Sequence, residues 1–226
     1  MPPSAYAMCS LDDFKAYLGA SGAASDANLT NAINVATTLI ERELDREIVT
    51  RGDLTEFHSP RWAAGAFDPY SFGGSWSRVS ELYTSQWPII SVTSVHESAA
   101  PPVYNGTTLL VVGTDYELVK PRGIIRRLSA GSGPAFWAPG NRAEQVILSA
   151  GYATAAVVPD DLRQVCMFVA ASIAQESDRK QWGISSMSDP LGNVTRFMGY
   201  MPPSMKEILN HYRRPISFGR TWERAS

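Results

Sequence analysis

The sequence predicts an α+β fold, a helical bundle of about four helices with a mostly antiparallel β insertion between the second and third helices. Near both ends of the chain, apolar residues recur at the spacing of amphipathic helices. From residue 48 to about residue 152 that period is absent, and short β-prone runs alternate with Gly, Pro, Asn and Asp. The predicted domains are therefore a helical bundle of residues 1–47 and 153–215, a β-rich insertion with long loops at 48–152, and a C-terminal tail at 216–226.

The composition is that of a folded protein. The chain has 226 residues, of which 44% are hydrophobic and 19% are charged, and its formal net charge is −2. This balance is too apolar for intrinsic disorder and too neutral for a protein that coats DNA, although it allows a local basic patch. The longest apolar run, residues 165–174, is far shorter than the roughly 18 residues that span a bilayer, so we expect no membrane partner.

Two helices are predicted near the N-terminus. Ser10 and Asp13 form a capping-box pattern ahead of a short amphipathic segment, which Gly19 ends. Residues 25–26 open a longer helix that runs to Arg46. The apolar stripe of this second helix consists of Leu29, Ile33, Ala36, Ile40 and Leu44.

The insertion is predicted from β-prone runs and turn residues. A glycine supplies the positive φ that a tight turn needs, so Pro121, Arg122 and Gly123 predict a hairpin between the runs that flank them. The β-prone runs are residues 89–95, 109–112, 116–119, 124–128 and 145–149.

Two long loops in the insertion carry aromatic side chains. Loops of such length are usually functional or disordered. Their aromatic residues favour burial against a partner chain, and the alternative is that each loop folds back on its own domain. The interface candidates in the loops at 59–77 and 131–141 are Trp62, Phe67, Tyr70, Phe72, Trp76, Phe136 and Trp137.

Helical spacing returns after Pro159. Asp160 is the expected N-cap of a third helix that ends near Arg179, with Cys166 as a buried thiol on its apolar stripe. Residues 182–201 are predicted to be irregular. Ser204 and Glu207 then give a capping-box pattern for a fourth helix, which stops at the basic residues before Pro215.

No motif for catalysis, cofactor binding or metal binding stands out, and we expect none of the three. The three histidines are scattered, and Cys9 and Cys166 lack the spacing of metal ligands. Two cysteines do not make a disulfide framework. The acidic pairs at 12–13 and 160–161 stand at predicted helix starts, where they favour the positive end of the helix dipole.

The C-terminal segment combines basic and aromatic side chains. From Lys206 to the end, five basic and two acidic residues leave a net charge of +3, and Tyr212, Phe218 and Trp222 lie among them. This composition fits three interpretations: a solvated tail, a segment that orders on a protein partner, or a weak contact with nucleic acid.

The segments also follow one another in a recognisable order. They are helix ends at 17–19 and 40–46, strands at 87–95, 115–118 and 123–125, residues 149–152 leading to Val158-Pro159-Asp160-Asp161-Leu162, and a helix end at 212–214. In this order they resemble the head–tail adaptor (connector) proteins of long-tailed bacteriophages and of the related gene transfer agents. The resemblance covers residues 11–214.

The resemblance implies a structural virion protein and not an enzyme. Such adaptors form a ring of about twelve copies beneath the portal, connect the capsid to the tail, and extend the channel for genomic DNA without sequence-specific binding. The implied partners are neighbouring copies, the portal protein and a stopper or tail protein. The implied location is the virion neck, after assembly in the host cytoplasm. The residues implied to dock on the portal are Arg213, Arg214, Ile216, Phe218, Arg220, Trp222 and Arg224.

Three alternatives stay open at this point. A stopper or other neck or tail-completion protein has the same class of function at another position in the neck. A small hydrolase, assembled from distant residues, predicts a pocket with converging titratable groups. A nucleic-acid-binding module that uses the basic tail predicts a steep salt dependence of its affinity.

Overall fold

The computed structural model describes residues 3–60, 80–98, 103–129, 135–138, 140–179, 186–189, 192–195, 201–213 and 222–224. The chain forms two compact units. Residues 1–49 and 154–216 make up the first, which we call the helical unit, and residues 50–153 and 217–226 make up the second, the β unit. The fold is α+β, as the sequence predicts.

The elements alternate between the two units along the chain. The helices are α1 (Leu11–Leu18), α2 (Asp26–Leu44), α3 (Asp160–Arg179) and α4 (Pro203–His211). The strands are β1 (Asp53–His58), β2 (Glu81–Tyr83), β3 (Ile89–Glu97), β4 (Tyr116–Val119), β5 (Ile124–Arg127), β6 (Glu144–Ala150), β7 (Ser186–Asp189), β8 (Gly192–Thr195) and β9 (Trp222–Arg224). Strands β1 to β6 therefore lie between α2 and α3, and the hairpin β7–β8 occupies part of the stretch predicted to be irregular.

The ends of the first two helices follow from local backbone chemistry. Ser10 Oγ accepts a hydrogen bond from the Asp13 amide at 3.1 Å, which confirms the predicted N-cap of α1. Gly19 ends α1 with a left-handed φ of 63°. Asp45 ends α2 in the same region, at φ 53°, where aspartate is among the better tolerated non-glycine residues.

The helical unit buries the apolar stripes that the sequence predicts. Helices α2 and α3 pack against each other, and the buried residues on each recur at steps of three or four. These residues include Leu29, Ile33, Ala36, Ile40 and Leu44 on α2, and Leu162, Val165, Cys166, Val169, Ala170 and Ile173 on α3.

Two of the predicted caps are wrong. Asp160 is the first residue of α3 and not its cap, and its carboxylate pairs with Arg163 one turn later. Helix α4 begins at Pro203 after the extended residue Pro202, without a side-chain cap. Proline suits this position, because the first amide groups of a helix have no partner within the helix and proline has no amide hydrogen to leave unpaired.

The β unit contains two antiparallel sheets. One sheet has the strand order β3-β6-β1-β9, and the other has the order β2-β5-β4. Apolar side chains from both sheets form one core, together with an aromatic residue from the loop before β6. The buried members of this core are Leu82, Ile89, Val95, Tyr116, Ile125, Trp137, Val146, Leu148 and Ala150.

The hairpin predicted around Gly123 is confirmed. A turn of 3₁₀ helix at Lys120–Arg122 joins β4 to β5, and Gly123 follows with φ 62°. The glycine is also needed for space, because a Cβ atom there would lie 2.6 Å from Thr84 Oγ1 and 2.9 Å from Trp87 Cβ.

Within the insertion, two strands were not predicted, and one predicted strand is absent. Strands β1 and β2 fall outside the β-prone runs. The run at 109–112 forms isolated bridges instead of a strand, with Leu109 opposite His96 and Val112 beside Tyr116.

Part of the predicted C-terminal tail forms a strand of the β unit. Strand β9 pairs antiparallel with β1, with Trp222 opposite His58 and Arg224 opposite Glu56. The pairing has a simple physical reason, because the outer edge of β1 presents backbone amides and carbonyls that a short strand can satisfy.

Candidate functional site

The predicted docking residues are divided between described and undescribed parts of the chain. Arg213, the first of them, is fixed at the end of α4, where its Nη2 donates to Glu43 Oε1 at 2.6 Å and to the Glu43 carbonyl at 2.9 Å. Next to it, the Tyr212 hydroxyl donates to the Asp161 carboxylate at 2.7 Å. Trp222 and Arg224 lie on β9, and Arg214, Ile216, Phe218 and Arg220 lie outside the described residues.

Most of the aromatic interface candidates also lie outside the described residues. These are Trp62, Phe67, Tyr70, Phe72 and Trp76. Their role at an interface stays a prediction. In the second loop, Phe136 is half-buried.

Trp137 lies in the core of the β unit. Its side chain is 3% exposed, and its Nε1 donates to the Ser80 carbonyl at 3.1 Å. The Arg127 guanidinium lies 5.7 Å from the centre of its ring. The structure thus corrects the interface prediction for Trp137: its indole is buried against its own domain, where its polar N–H finds a partner.

Exposed apolar residues cluster in the segment at 103–112, which we call the apolar segment. Val103, Leu109, Val111 and Val112 are 57%, 47%, 56% and 58% exposed. The backbone of the segment is held in place, because the Val111 amide donates to Asp115 Oδ2 at 2.8 Å. Several large apolar side chains on a fixed backbone are typical of a surface that another molecule covers.

A row of ionisable side chains crosses the larger sheet. Strand register places His58 of β1 opposite Glu144 of β6, and Glu144 opposite Glu97 of β3. Glu56 extends this row along β1, and its Oε2 lies 3.2 Å from His58 Nε2. We call these four residues the polar row. Of the four, Glu56, His58 and Glu144 are fully buried.

The carboxylate groups of the polar row differ in the hydrogen bonds that they accept. Glu56 Oε1 accepts a hydrogen bond from the Ser85 amide at 2.8 Å, and Glu97 Oε2 accepts one from Arg127 at 2.9 Å. Neither carboxylate oxygen of Glu144 has a hydrogen-bond partner among the described residues. Burial is the main cause, and the negative charge of Glu97 the second, of a rise in the pKa of Glu144 to about 9. This carboxyl is therefore neutral at pH 7.

The polar row could not be predicted from the sequence, because its residues are far apart in the chain and meet only through strand pairing. The available signal was the spacing of Glu56 and His58, since residues two apart on a strand share a face. Their complete burial closes Glu56, His58 and Glu144 to an external substrate, so the arrangement supports a structural role better than acid–base catalysis.

Neither a metal-binding cluster nor a membrane-spanning helix is present among the described residues. Within the ranges that the structure describes, no three His, Cys, Asp or Glu side chains converge as a metal site would require. None of the helices there is long and apolar enough to cross a membrane.

Comparisons with known proteins show a shared fold with solved structures, and no match at the level of the sequence family. No family model and no curated protein matches the sequence. Among solved structures, a chain in the neck of an empty gene transfer agent (GTA) particle, computed with C6 symmetry, is similar at a TM-score of 0.55 and 18% identity, over 97% of this chain and 98% of that chain. The two proteins share a fold over nearly their whole length.

Two further GTA structures contain a similar chain. A structure of the virion of a native GTA particle matches at a TM-score of 0.53 and 18% identity, over 94% of this chain and 93% of that chain. A structure of the neck of a native GTA particle, computed with C12 symmetry, matches at a TM-score of 0.51 and 19% identity, over 93% and 91% of the two chains.

Proposed function

We propose that this protein is a structural component of the neck of a tailed particle, a head–tail adaptor that forms a ring beneath the portal. One observation carries the proposal: the fold matches that of a GTA neck chain over 97% of this chain and 98% of that chain. The C6 and C12 symmetries of the two neck structures support a cyclic arrangement of copies.

In this proposal the ring connects the capsid to the tail and extends the channel through which DNA enters and is ejected. Its partners are the neighbouring copies, the portal protein on one side and a stopper or tail protein on the other. A net charge of −2 suits such a channel, because a wall with few unpaired cations makes few lasting contacts with phosphates.

The mass of the assembly tests this role. Native mass spectrometry of the full chain, alone and mixed with its cognate portal, is expected to detect a ring of copies on the portal. Failure to bind the portal at any salt concentration contradicts the proposal. Binding to a preformed portal–adaptor complex, but not to the portal alone, identifies the protein as a stopper instead.

We further propose that the apolar segment forms part of the contact between neighbouring copies. A ring requires two different surfaces on each copy, and exposed valine and leucine side chains suit one of them. Val111→Asp is expected to lower ring formation. Val157→Asp is the matched control, because Val157 belongs to the helical unit and is also 56% exposed. Equal effects of the two substitutions contradict the assignment.

Residues 213–224, the part of the basic segment that follows α4, are the proposed portal-docking element. Deleting it would also remove β9, so point substitutions give a cleaner test. The double variant Phe218→Ala/Arg220→Ala is expected to weaken portal binding at least tenfold while the chain stays folded. Lys206→Ala, which removes one charge from an exposed position on α4, is the control. Unchanged binding by the double variant refutes the docking role.

A further inference from the structure

Two buried thiols face each other in the helical unit. Cys9 precedes α1 and Cys166 lies on α3, and their Sγ atoms are 4.0 Å apart. Their side chains are almost completely buried, with exposures of 1% and 0%. The distance is the close contact of two reduced thiols, and a movement of about 2 Å would bring the sulfur atoms to the length of a disulfide bond.

One threonine holds both cysteines in place. Thr37 Oγ1 on α2 accepts a hydrogen bond from the Met8 amide at 3.2 Å, which fixes the segment that carries Cys9. The same oxygen lies 3.8 Å from Cys166 Sγ. The two thiols are therefore presented to each other by three packed elements and do not meet through chance side-chain motion.

The surroundings of the two thiols shift their pKa values in opposite directions. The hydrogen bond with Cys166 lowers the pKa of the Cys9 thiol. The same bond and burial raise the pKa of Cys166 well above the usual value. Cys9 also lines a cavity of about 440 Å³, together with Asp13, Tyr17 and Arg163, whereas Cys166 does not line it. Cys9 is thus the thiol that borders the cavity and the one whose pKa is lowered, so we expect it to attack first.

We propose that Cys9 and Cys166 form an intramolecular disulfide when the protein meets a low-molecular-weight disulfide, and so cross-link the N-terminal segment to α3. The Cys9 thiolate attacks one sulfur of the reagent and expels the other as a thiolate, which takes up the Cys9 proton. Cys166 then attacks Cys9 Sγ and expels the second thiolate, which takes up the Cys166 proton. Two protein thiols are oxidised, and the reagent is reduced to two thiols.

This inference is independent of the proposed function, because it rests on the sulfur atoms and their neighbours within one unit. The test uses the full-length wild-type chain and bis(2-hydroxyethyl) disulfide, a small neutral reagent. After incubation, the protein is denatured, alkylated and weighed. The expected product has lost two hydrogen atoms, takes up no alkyl groups and yields a linked peptide containing both cysteines. Alkylation of both thiols, or cross-linked dimers, would overturn the proposal.

Single-cysteine variants test the order of attack. Cys166→Ser is expected to stop at the mixed disulfide on Cys9, because no second thiol can resolve it. Cys9→Ser is expected to form at least tenfold less adduct on Cys166. A greater yield of adduct on Cys166 than on Cys9 overturns the assigned roles.

The thermal unfolding midpoint of the wild-type protein tests the cross-link without any substitution. The cross-link would close a loop between residues 157 positions apart, which restricts the unfolded chain. The oxidised protein is expected to unfold at a midpoint about 5–10 °C higher than the reduced protein, and dithiothreitol is expected to reverse the shift. An unchanged midpoint contradicts a cross-link that forms without distorting the helical unit.

Discussion

Replacing Glu144 by Gln is expected to stabilise the β unit at neutral and alkaline pH. Glu144 is fully buried, and both of its carboxylate oxygens lack hydrogen-bond partners among the described residues. The folded protein therefore keeps this carboxyl protonated, whereas the unfolded chain ionises it freely in water. Glutamine has nearly the same shape as the protonated carboxyl but no proton to lose.

The size of the effect follows from the two pKa values. The pKa of Glu144 is about 9 in the folded protein, compared with 4.5 for an ordinary glutamate in water. Below pH 4.5 both states hold the proton, so stability is unaffected. Between pH 4.5 and pH 9 only the unfolded state releases it, and the free energy of unfolding falls by about 1.4 kcal/mol per pH unit. At pH 7 the accumulated loss is about 3 kcal/mol.

Urea unfolding at several pH values between 5 and 8.5 measures this effect, and hydrogen exchange of the β6 amides assigns it to the sheet. Glu144→Gln is expected to show a flatter pH dependence than the wild-type protein and a gain that grows with pH. Glu117→Gln is the control, because the Glu117 side chain belongs to the same unit but is 44% exposed. An identical pH slope for Glu144→Gln and wild type, or lower stability of the variant at pH 8, would refute the reasoning.

Two further substitutions test the β unit. Gly123→Ala is expected to lower the free energy of unfolding by about 2 kcal/mol, because φ is positive there and the added methyl group would meet Thr84. Gly106→Ala is the control and should change the free energy of unfolding little, because nothing lies within 4 Å of its added methyl group. Urea unfolding of both variants measures the difference. Trp137→Phe should cost about 2 kcal/mol, because the Ser80 carbonyl keeps its bond from the Arg127 amide but loses the one from the indole, and the core loses volume. Full retention of stability in urea unfolding would show that the indole hydrogen bond contributes nothing.

The helical elements were predictable because their signals are local. The buried stripe of α2, from Leu29 to Leu44, repeats within a single segment, and the Ser10 cap needs only the next three residues. The hairpin at Gly123 was predictable for the same reason, since one residue with positive φ determines the turn.

The strands and sites that escaped prediction depend on distant residues. Strand β1 buries Glu56 and His58, which a search for alternating apolar residues passes over. Their surroundings come from distant parts of the chain, because the Ser85 amide, in the loop after β2, donates to Glu56, and Glu144 of β6 lies opposite His58. The position of Trp137 likewise depends on the Ser80 carbonyl, and no pattern in the loop sequence itself indicates that contact.

The pairing of β9 with β1 has a consequence for how the protein is made. A ribosome releases the chain from its N-terminus, so β1 emerges before α3, α4 and the strand that covers its outer edge, β9 at Trp222–Arg224. Throughout that interval the outer edge of β1 is open to strand addition from another molecule. A chain that terminates before β9 keeps this edge open permanently, so it would be prone to aggregation and not merely shortened.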